Sequence, residues 1–370
     1  MKKIFNSFGV NSYGKALIEI NTLDDISNYY DSRTSKDLLI VGGGYNILPP
    51  DYYGGDVIRS NLRSTAITSR STDSITIRAG SGLEWDDLVD FSIKAGGFGL
   101  EYLSSIPGRV GAAPVQNIGA YGSEVSYFIS RVFCFNLSTG TFESIKGADC
   151  SFGYRSSIFK ARPELFILDV EFRLPTDSLQ SKRMLTNDMA LNHLEYFYDF
   201  FRTWTLLAKS IYISMDPKPR LRFKYSAIRS ILLLTVLPAA IKRKVVQIIR
   251  RKLLQDPFKV GNSGCYFKNP IVSNEIYSEL RQRHPEIVAF STSTDAVKLD
   301  AGWLIKNSSD SPRESKSIKL DRRSAVVLLN KGNATYLDVT SFISSIQTDV
   351  RKTFGLSLEL EVVVVPSKGI

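Results

Sequence analysis

Hydrophobic and polar positions along the chain fall into short periods that mix two kinds. Asp37 to Val41 is an apolar run of strand length, and Ser74 to Arg78 alternates as a half-buried strand does. Trp85, Leu88, Val89 and Ser92 then share one helical face. Ser81 and Glu84 form a capping-box pattern ahead of it, and Gly96-Gly97 ends the helix. Arg131 to Ile145, with Ser138-Thr139-Gly140 at its centre, predicts a hairpin, and Leu165 to Leu174 a further strand. Leu194, Phe197, Phe200, Phe201, Trp204, Leu207 and Ile211 recur at helical spacing. That stripe predicts a buried or partner-facing helix, since no basic polar face accompanies it as a membrane-surface helix would require.

Pro238 opens a second helix with Ile241, Val245, Ile248 and Ile249 inward and Lys242, Arg243, Lys244, Arg250 and Arg251 on a solvated face. A helix near Asn274 to Arg283, a strand from Val326 to Asn330 and a turn at Lys331-Gly332-Asn333 follow. Val339, Phe342, Ile343, Ile346 and Val350 make the stripe of a last helix, stopped by Gly355. Leu358 to Val365 predicts a closing strand whose alternation puts Glu359 and Glu361 on one face. There are no internal repeats, and the elements predict an α+β protein.

The 370 residues suggest two or three domains with a sizeable core. The net charge of +10 raises a nucleic-acid reading, but no zinc-finger, RRM-like or long basic segment supports it. A positive protein suits an anionic small molecule equally well. Cys134, Cys150 and Cys265 lack paired spacing and fit a reducing compartment, and two histidines, His193 and His284, argue against a His-rich metal site; no metal is expected. MKKIFNSFG has no apolar signal-peptide run, and Ile231 to Ile241 is too short to span a bilayer.

The candidate chemistry centres on Ile106 to Val125, IPGRVGAAPVQNIGAYGSEV. Small residues at this density let backbone approach a ligand or another backbone and expose N–H groups to oxygens. An ordinary Gly-rich loop is the competing reading. A second loop, Gly42-Gly43-Gly44-Tyr45-Asn46-Ile47-Leu48, follows a strand. It is not a Rossmann fingerprint, because the spacing differs and Pro49-Pro50 blocks the helix that must follow.

These stretches resemble the UDP-N-acetylenolpyruvoylglucosamine reductase (MurB) family. The first resembles its flavin-binding IPGxVGxxPxQNxGAYGxE segment, the second its GxGSN(L/V)L phosphate-contacting loop, with Tyr45 where the family usually has Ser. Phe152 to Lys160, FGYRSSIFK, resembles (F/C)xYRxSxFK; Gly261 to Pro270, GNSGCYFKNP, resembles GNAGSFFKNP; and Leu358 to Val362, LELEV, resembles LExEV. Asn6 to Ile20 and Lys298 to Ile305 match further family segments, whereas Asp321 and Ser324 stand where a His and a Gln are usual.

The resemblance implies a two-part FAD-binding module of the PCMH/MurB type plus a smaller α+β substrate domain. Boundaries are expected at 1–60 with the strand 358–370, at 61–254 with an inserted helical segment at about 180–220, and at 255–357. It implies FAD and NADPH as cofactors and UDP-N-acetylglucosamine enolpyruvate as substrate. Arg155, Cys265 and Glu361 are the implied catalytic residues; Cys265 takes the place of a proton-donating Ser, with an inert small thiol as the competing reading. Glu359 is read as an exposed strand residue. FAD would be held by Gly42, Gly43, Gly44, Tyr45, Asn46 and Ile47 and by Pro107, Gly108, Gly111, Ala112, Gln116, Asn117, Gly119, Ala120, Tyr121 and Gly122. Tyr154, Tyr225, Lys252 and Asn269 would contact substrate, Lys252 with a register one residue off the family's. The expected setting is the cytoplasm, as a monomer, without nucleic acid or membrane insertion. Another FAD-linked oxidoreductase of the same cofactor fold, or a degenerate non-catalytic homologue, are the alternatives.

Overall fold

The computed structural model describes residues 1–35, 37–120, 122–176, 238–291, 295–308 and 313–367. The aromatic stripe of 194–211, Tyr225 and Tyr121 lie outside these residues.

The chain begins with β1 (Lys2–Lys3), β2 (Tyr13–Ile20), α1 (Leu23–Ser32), β3 (Leu38–Val41), β4 (Ile47–Leu48) and β5 (Tyr52–Ser60). One sheet has the order β1-β2-β5-β3, with β2 and β3 both parallel to β5. Thr22 starts α1 through a reciprocal capping box with Asp25. The helix buries Ile26 and Tyr29 in a cluster with Ile20, Ile58, Phe135, Phe166 and Leu168. The last three belong to the next sheet, so this core joins the two layers.

That second sheet is antiparallel, in the order β11-β10-β12-β7-β6. It comprises β6 (Thr65–Arg70), β7 (Ser74–Gly80), β10 (Ile129–Asn136), β11 (Thr141–Lys146) and β12 (Leu165–Pro175), with β8 (Gly119–Ala120) and β9 (Ser123–Glu124) as a small ribbon beside it. The hairpin β10–β11 turns at Gly140, φ +72°. Helix α2 (Trp85–Lys94) buries Trp85, Leu88, Val89 and Ser92, the face the sequence predicts. The predicted capping box is absent: Ser81 Oγ bonds Ser60 Oγ at 2.6 Å, and the N-cap Glu84 makes no capping bond. Packing of the Ser81 turn against β5 has taken the hydroxyl first. A one-turn helix, α3 (Ile158–Ala161), carries the end of the FGYRSSIFK motif.

Helix α4 (Ala239–Leu253) corrects the predicted orientation. Ile241 and Ile248 are 46% and 54% exposed, whereas Lys242 is 1% exposed. Lys242 Nζ donates to the Tyr102 hydroxyl at 3.3 Å, and Arg243 pairs with Asp86 and Asp90 of α2. The surface this helix meets is acidic and includes buried Glu101, whose carboxyl burial pushes up while Lys242 pulls it down. Val246, fully buried, and the predicted Val245 pack on the core behind the second sheet, so apolar packing and charge pairing together set which face turns in.

The third core gathers β13 (Ile271–Ser273), α5 (Asn274–Arg283), β14 (Ala289–Ser291), β15 (Ala296–Leu299), α6 (Ala301–Asn307), β16 (Ile318–Leu320), β17 (Leu328–Asn330) and α7 (Tyr336–Phe354). Helix α7 runs from a Thr335–Asp338 capping box to Gly355 at φ +71° and buries the predicted stripe. Phe8, Val10, Leu48, Leu358 and Val362 join the same cluster. Both ends of the chain therefore pack with its last third.

The closing strand is shorter than predicted. Only β18 (Val363–Val364) pairs regularly, parallel to β4, while Leu360 bridges Phe267. The chain bends at Glu361 and Val362, and the two glutamates part company. The Glu359 side chain is 76% exposed against Lys268, and that of Glu361 is 17% exposed against Arg155.

Candidate active site

Two glycine loops face each other where the two sheets meet. The first, Gly42 to Asn46, links β3 to β4. The second runs from Pro107 to Gly122 and is pinned to the start of α2: Trp85 N donates to Gly108 O, Val110 N to Leu83 O and Gly111 N to Ser81 O, each at 2.9 Å. A methyl group on Gly42 would lie 3.1 Å from Ala112 Cβ, and one on Gly43 3.3 Å from Gly108 Cα. One on Gly44, at φ +74°, would overlap the Phe5 carbonyl. Gly42 and Gly43 let the two loops approach, Gly43 also making room for the Tyr45 ring, which a methyl group there would meet at 2.8 Å, and Gly44 lets the first loop pass the N-terminal segment. Gly108 differs: at φ +136° it faces open space, with nothing within 4 Å of where its Cβ would be. Bare backbone at such an opening is what a flat or phosphorylated ligand needs for close approach, so the cradle fits a dinucleotide such as FAD. Tyr45 packs edge-on to Phe5 and Phe258, with ring centroids at 6.2 and 6.3 Å.

Several of the polar loop residues reach beyond a cofactor cradle. Gln116 Nε2 donates to the Glu361 carbonyl at 3.2 Å and to its carboxylate at 3.4 Å, and Asn46 Nδ2 to the same carbonyl at 3.1 Å. Asn117, fully buried at φ +44°, commits its amide to Glu124 at 2.7 Å, to Gly153 O at 3.1 Å and to Ser126 N. Its side chain braces the loop.

Arg155 stands at the centre. It occupies a turn closed by mutual Gly153–Ser156 backbone bonds and has φ +53°, a left-handed conformation costly for a side-chain-bearing residue. Its Nε donates to Glu361 Oε1 at 2.7 Å and its Nη2 to Gly119 O at 2.9 Å. Gly119 leaves room for the third nitrogen, because a methyl group there would come within 3.0 Å of Arg155 Nη1. Glu361 N in turn donates to Tyr266 O at 2.8 Å, which brings Cys265 beside the pair. Cys265 follows Gly264, another positive-φ residue facing open space. The residue as a whole is partly exposed. Burial, then the charge of Glu361, push its thiol up to about 12, against weaker pulls from Arg155 and Arg250.

Cations surround this point. Lys298 lies over the Tyr154 ring at 5.0 Å and Arg155 at 5.3 Å. Lys160 Nζ donates to Arg155 O at 2.8 Å, and Lys268 pairs with Glu359 at 3.0 Å. Asn269 accepts the Ala301 N–H at 3.0 Å through its side chain and so caps the turn into α6. Lys252 is exposed at the end of α4. Among the described residues no group of three or more His, Cys, Asp or Glu could hold a metal. Lys160, Lys298 and Glu124 were not singled out from sequence. Lys160 and Lys298 do stand inside the motifs quoted above, and a charge repeated across separate motifs was the available signal.

Comparison with known proteins finds two family models. The one described as UDP-N-acetylenolpyruvoylglucosamine reductase, C-terminal domain, matches residues 256–365, and the one described as FAD binding domain matches residues 15–142. The reductase of that name from Bacteroides fragilis is 32% identical over 361 residues, 96% of each chain. That of Burkholderia cenocepacia is 35% identical over 364 residues, 96% of this chain and 93% of the relative. The crystal structure of UDP-N-acetylenolpyruvylglucosamine reductase (MurB) from Thermus caldophilus shares the fold, with a TM-score of 0.60 at 19% identity over 98% of this chain and 96% of that one.

Proposed function

We propose that this chain, which belongs to the UDP-N-acetylenolpyruvoylglucosamine reductase family, uses FAD to reduce UDP-N-acetylenolpyruvoylglucosamine to UDP-N-acetylmuramate for peptidoglycan synthesis, with NADPH as the hydride source. The observation that carries the reading is the Arg155–Glu361 pair. Residues 206 positions apart in sequence meet at 2.7 Å beside Cys265 and at the mouth of the glycine cradle.

FAD bound between the two loops would supply hydride transfer from NADPH to C3 of the enolpyruvyl group. Gly42 to Ile47 and Pro107 to Gly122 would hold it. The chain's own residues manage the charge that develops on C2 and its carboxylate. Glu361 and Gly119 O fix the Arg155 fork by two of its nitrogens and leave the Nη1 edge for the substrate carboxylate. Gln116 and Asn46 hold Glu361 in place from the cofactor side. Cys265, neutral through the physiological range, gives its proton to C2. Lys298, over the neutral Tyr154 ring, and Lys268, its charge partly offset by Glu359, would favour the anionic sugar nucleotide on this side of the site. Asn269, Lys252 and Tyr225 remain proposed substrate contacts, and Tyr121 a proposed FAD contact, by resemblance alone.

The division into 1–60, 61–254 and 255–357 is likewise proposed, supported by separate sheets though the cores are shared across the boundaries, with 1–60 and 358–370 acting together through β4 and β18. A cytoplasmic monomer is the proposed state. No helix among the described residues is long and apolar enough to cross a membrane. Anaerobic reduction of the FAD-loaded protein by NADPH, followed by addition of the enolpyruvyl substrate, tests the function. Rapid flavin reoxidation with formation of UDP-N-acetylmuramate is expected; a flavin that stays reduced refutes it.

A further inference from the structure

We infer that Lys160 is a positioning residue for the substrate-reducing step: it holds the left-handed backbone of Arg155, and through it the guanidinium, in the geometry the substrate meets. The inference rests on the proposed reaction and adds a residue to it. The turn around Arg155 is secured at its ends by the Gly153–Ser156 bonds of 3.0 and 3.1 Å. Those bonds leave the Arg155 carbonyl itself to another partner, and the ammonium of Lys160 supplies it at 2.8 Å. A residue at φ +53° returns to ordinary backbone unless its surroundings over-determine it. The donor is well fixed for that task. Phe159 anchors α3 in the apolar cluster behind the second sheet, with Val110 and Phe172, and Ser157 Oγ donates to Val115 O at 2.8 Å, tying the start of α3 to the glycine loop.

The charges around Lys160 make this support sensitive to pH. Burial, then Lys268, lower the pKa of its ammonium, as does Arg155; Glu361 and Glu359 oppose them. Above its pKa the lysine becomes a neutral amine, and a charge-assisted bond turns into a weaker one. The pH range in which that happens lies below lysine's usual one, whereas the Cys265 thiol is pushed up to about 12. Loss of the charge-assisted bond on the alkaline side is therefore the readout of Lys160 deprotonation.

The test is stopped-flow reoxidation of the NADPH-reduced holoenzyme by substrate, from neutral to alkaline pH, with kcat and KM measured separately. Lys160→Met should retain FAD and keep reduction by NADPH within about twofold. Substrate reduction should fall about tenfold or more at neutral pH, the scale of one hydrogen bond to a charged group, and should be flat on the alkaline side. Lys160→Arg, permanently charged, should also lose the alkaline limb. A Met variant with the wild-type rate and the wild-type limb overturns the inference. If the Met variant fails to load FAD, the Arg variant decides: a limb unchanged from wild type overturns the inference, and a missing limb supports it. The wild-type control separates the two claims, since a wild-type enzyme inert toward substrate refutes the function itself.

Discussion

Replacing Cys265 tests the proton donor directly. A thiol near 8.5 would be roughly three-quarters ionised at pH 9 and would stop donating there. Burial and the neighbouring Glu361 carboxylate instead push this thiol up to about 12, so roughly one molecule in a thousand is thiolate at pH 9. The sign follows from the raised value: the proton is present below it and is lost only as pH rises through it. Wild type and Cys265→Ser should therefore share the same pH profile up to about pH 10. Cys265→Ala should reduce FAD with NADPH normally but reoxidise about 10²-fold or more slowly with substrate, the scale of one general acid. Alkylation provides a second assay free of turnover. At neutral pH the thiol should react with iodoacetamide about 10³-fold more slowly than an ordinary cysteine, because the thiolate is the nucleophile. An Ala variant that reoxidises at the wild-type rate refutes the donor role. A wild-type limb near pH 8.5 that disappears in the Ser variant refutes the argument from burial.

Arg155→Lys keeps a charge but loses the fork held by Glu361 and Gly119, so single-turnover substrate reduction should drop on the order of 10²-fold; a near-normal rate would make the pair structural. Gly108→Ala meets no atom but must adopt φ +136° beside the cradle, so the purified protein should fold with much reduced FAD content by absorption spectrum. Leu88→Ala, fully buried on α2, should cost about 2–5 kcal/mol in urea unfolding without altering the catalytic pair. Replacing 180–220 by a short Gly/Ser linker should leave a folded, FAD-loaded enzyme that still reduces substrate; loss of that step alone would place the segment in the site.

The sequence by itself determined the parts whose cause is local. Thr335, Asp338 and Gly355 set the ends of α7, the stripe from Val339 to Val350 set its buried face, and Gly140 set the hairpin turn. The motif stretches, being long and ordered, carried the family, and the proposed site residues lie within them. Tertiary structure decided whatever depended on a partner distant in sequence. Lys242 points inward onto the Tyr102 hydroxyl while Arg243 pairs with Asp86 and Asp90 of α2 and Val246 enters the core, partners that the periodicity of α4 does not reveal. Ser81 abandons its cap because Ser60 lies across from it. Glu359 and Glu361, two apart in a stretch predicted as one strand, separate because the chain bends between Leu360 and Val363 to follow β4 while Arg155 draws the second carboxylate in. The value of Cys265 as an acid is decided the same way: its residue type is local, but its pKa belongs to the neighbours that folding brings around it.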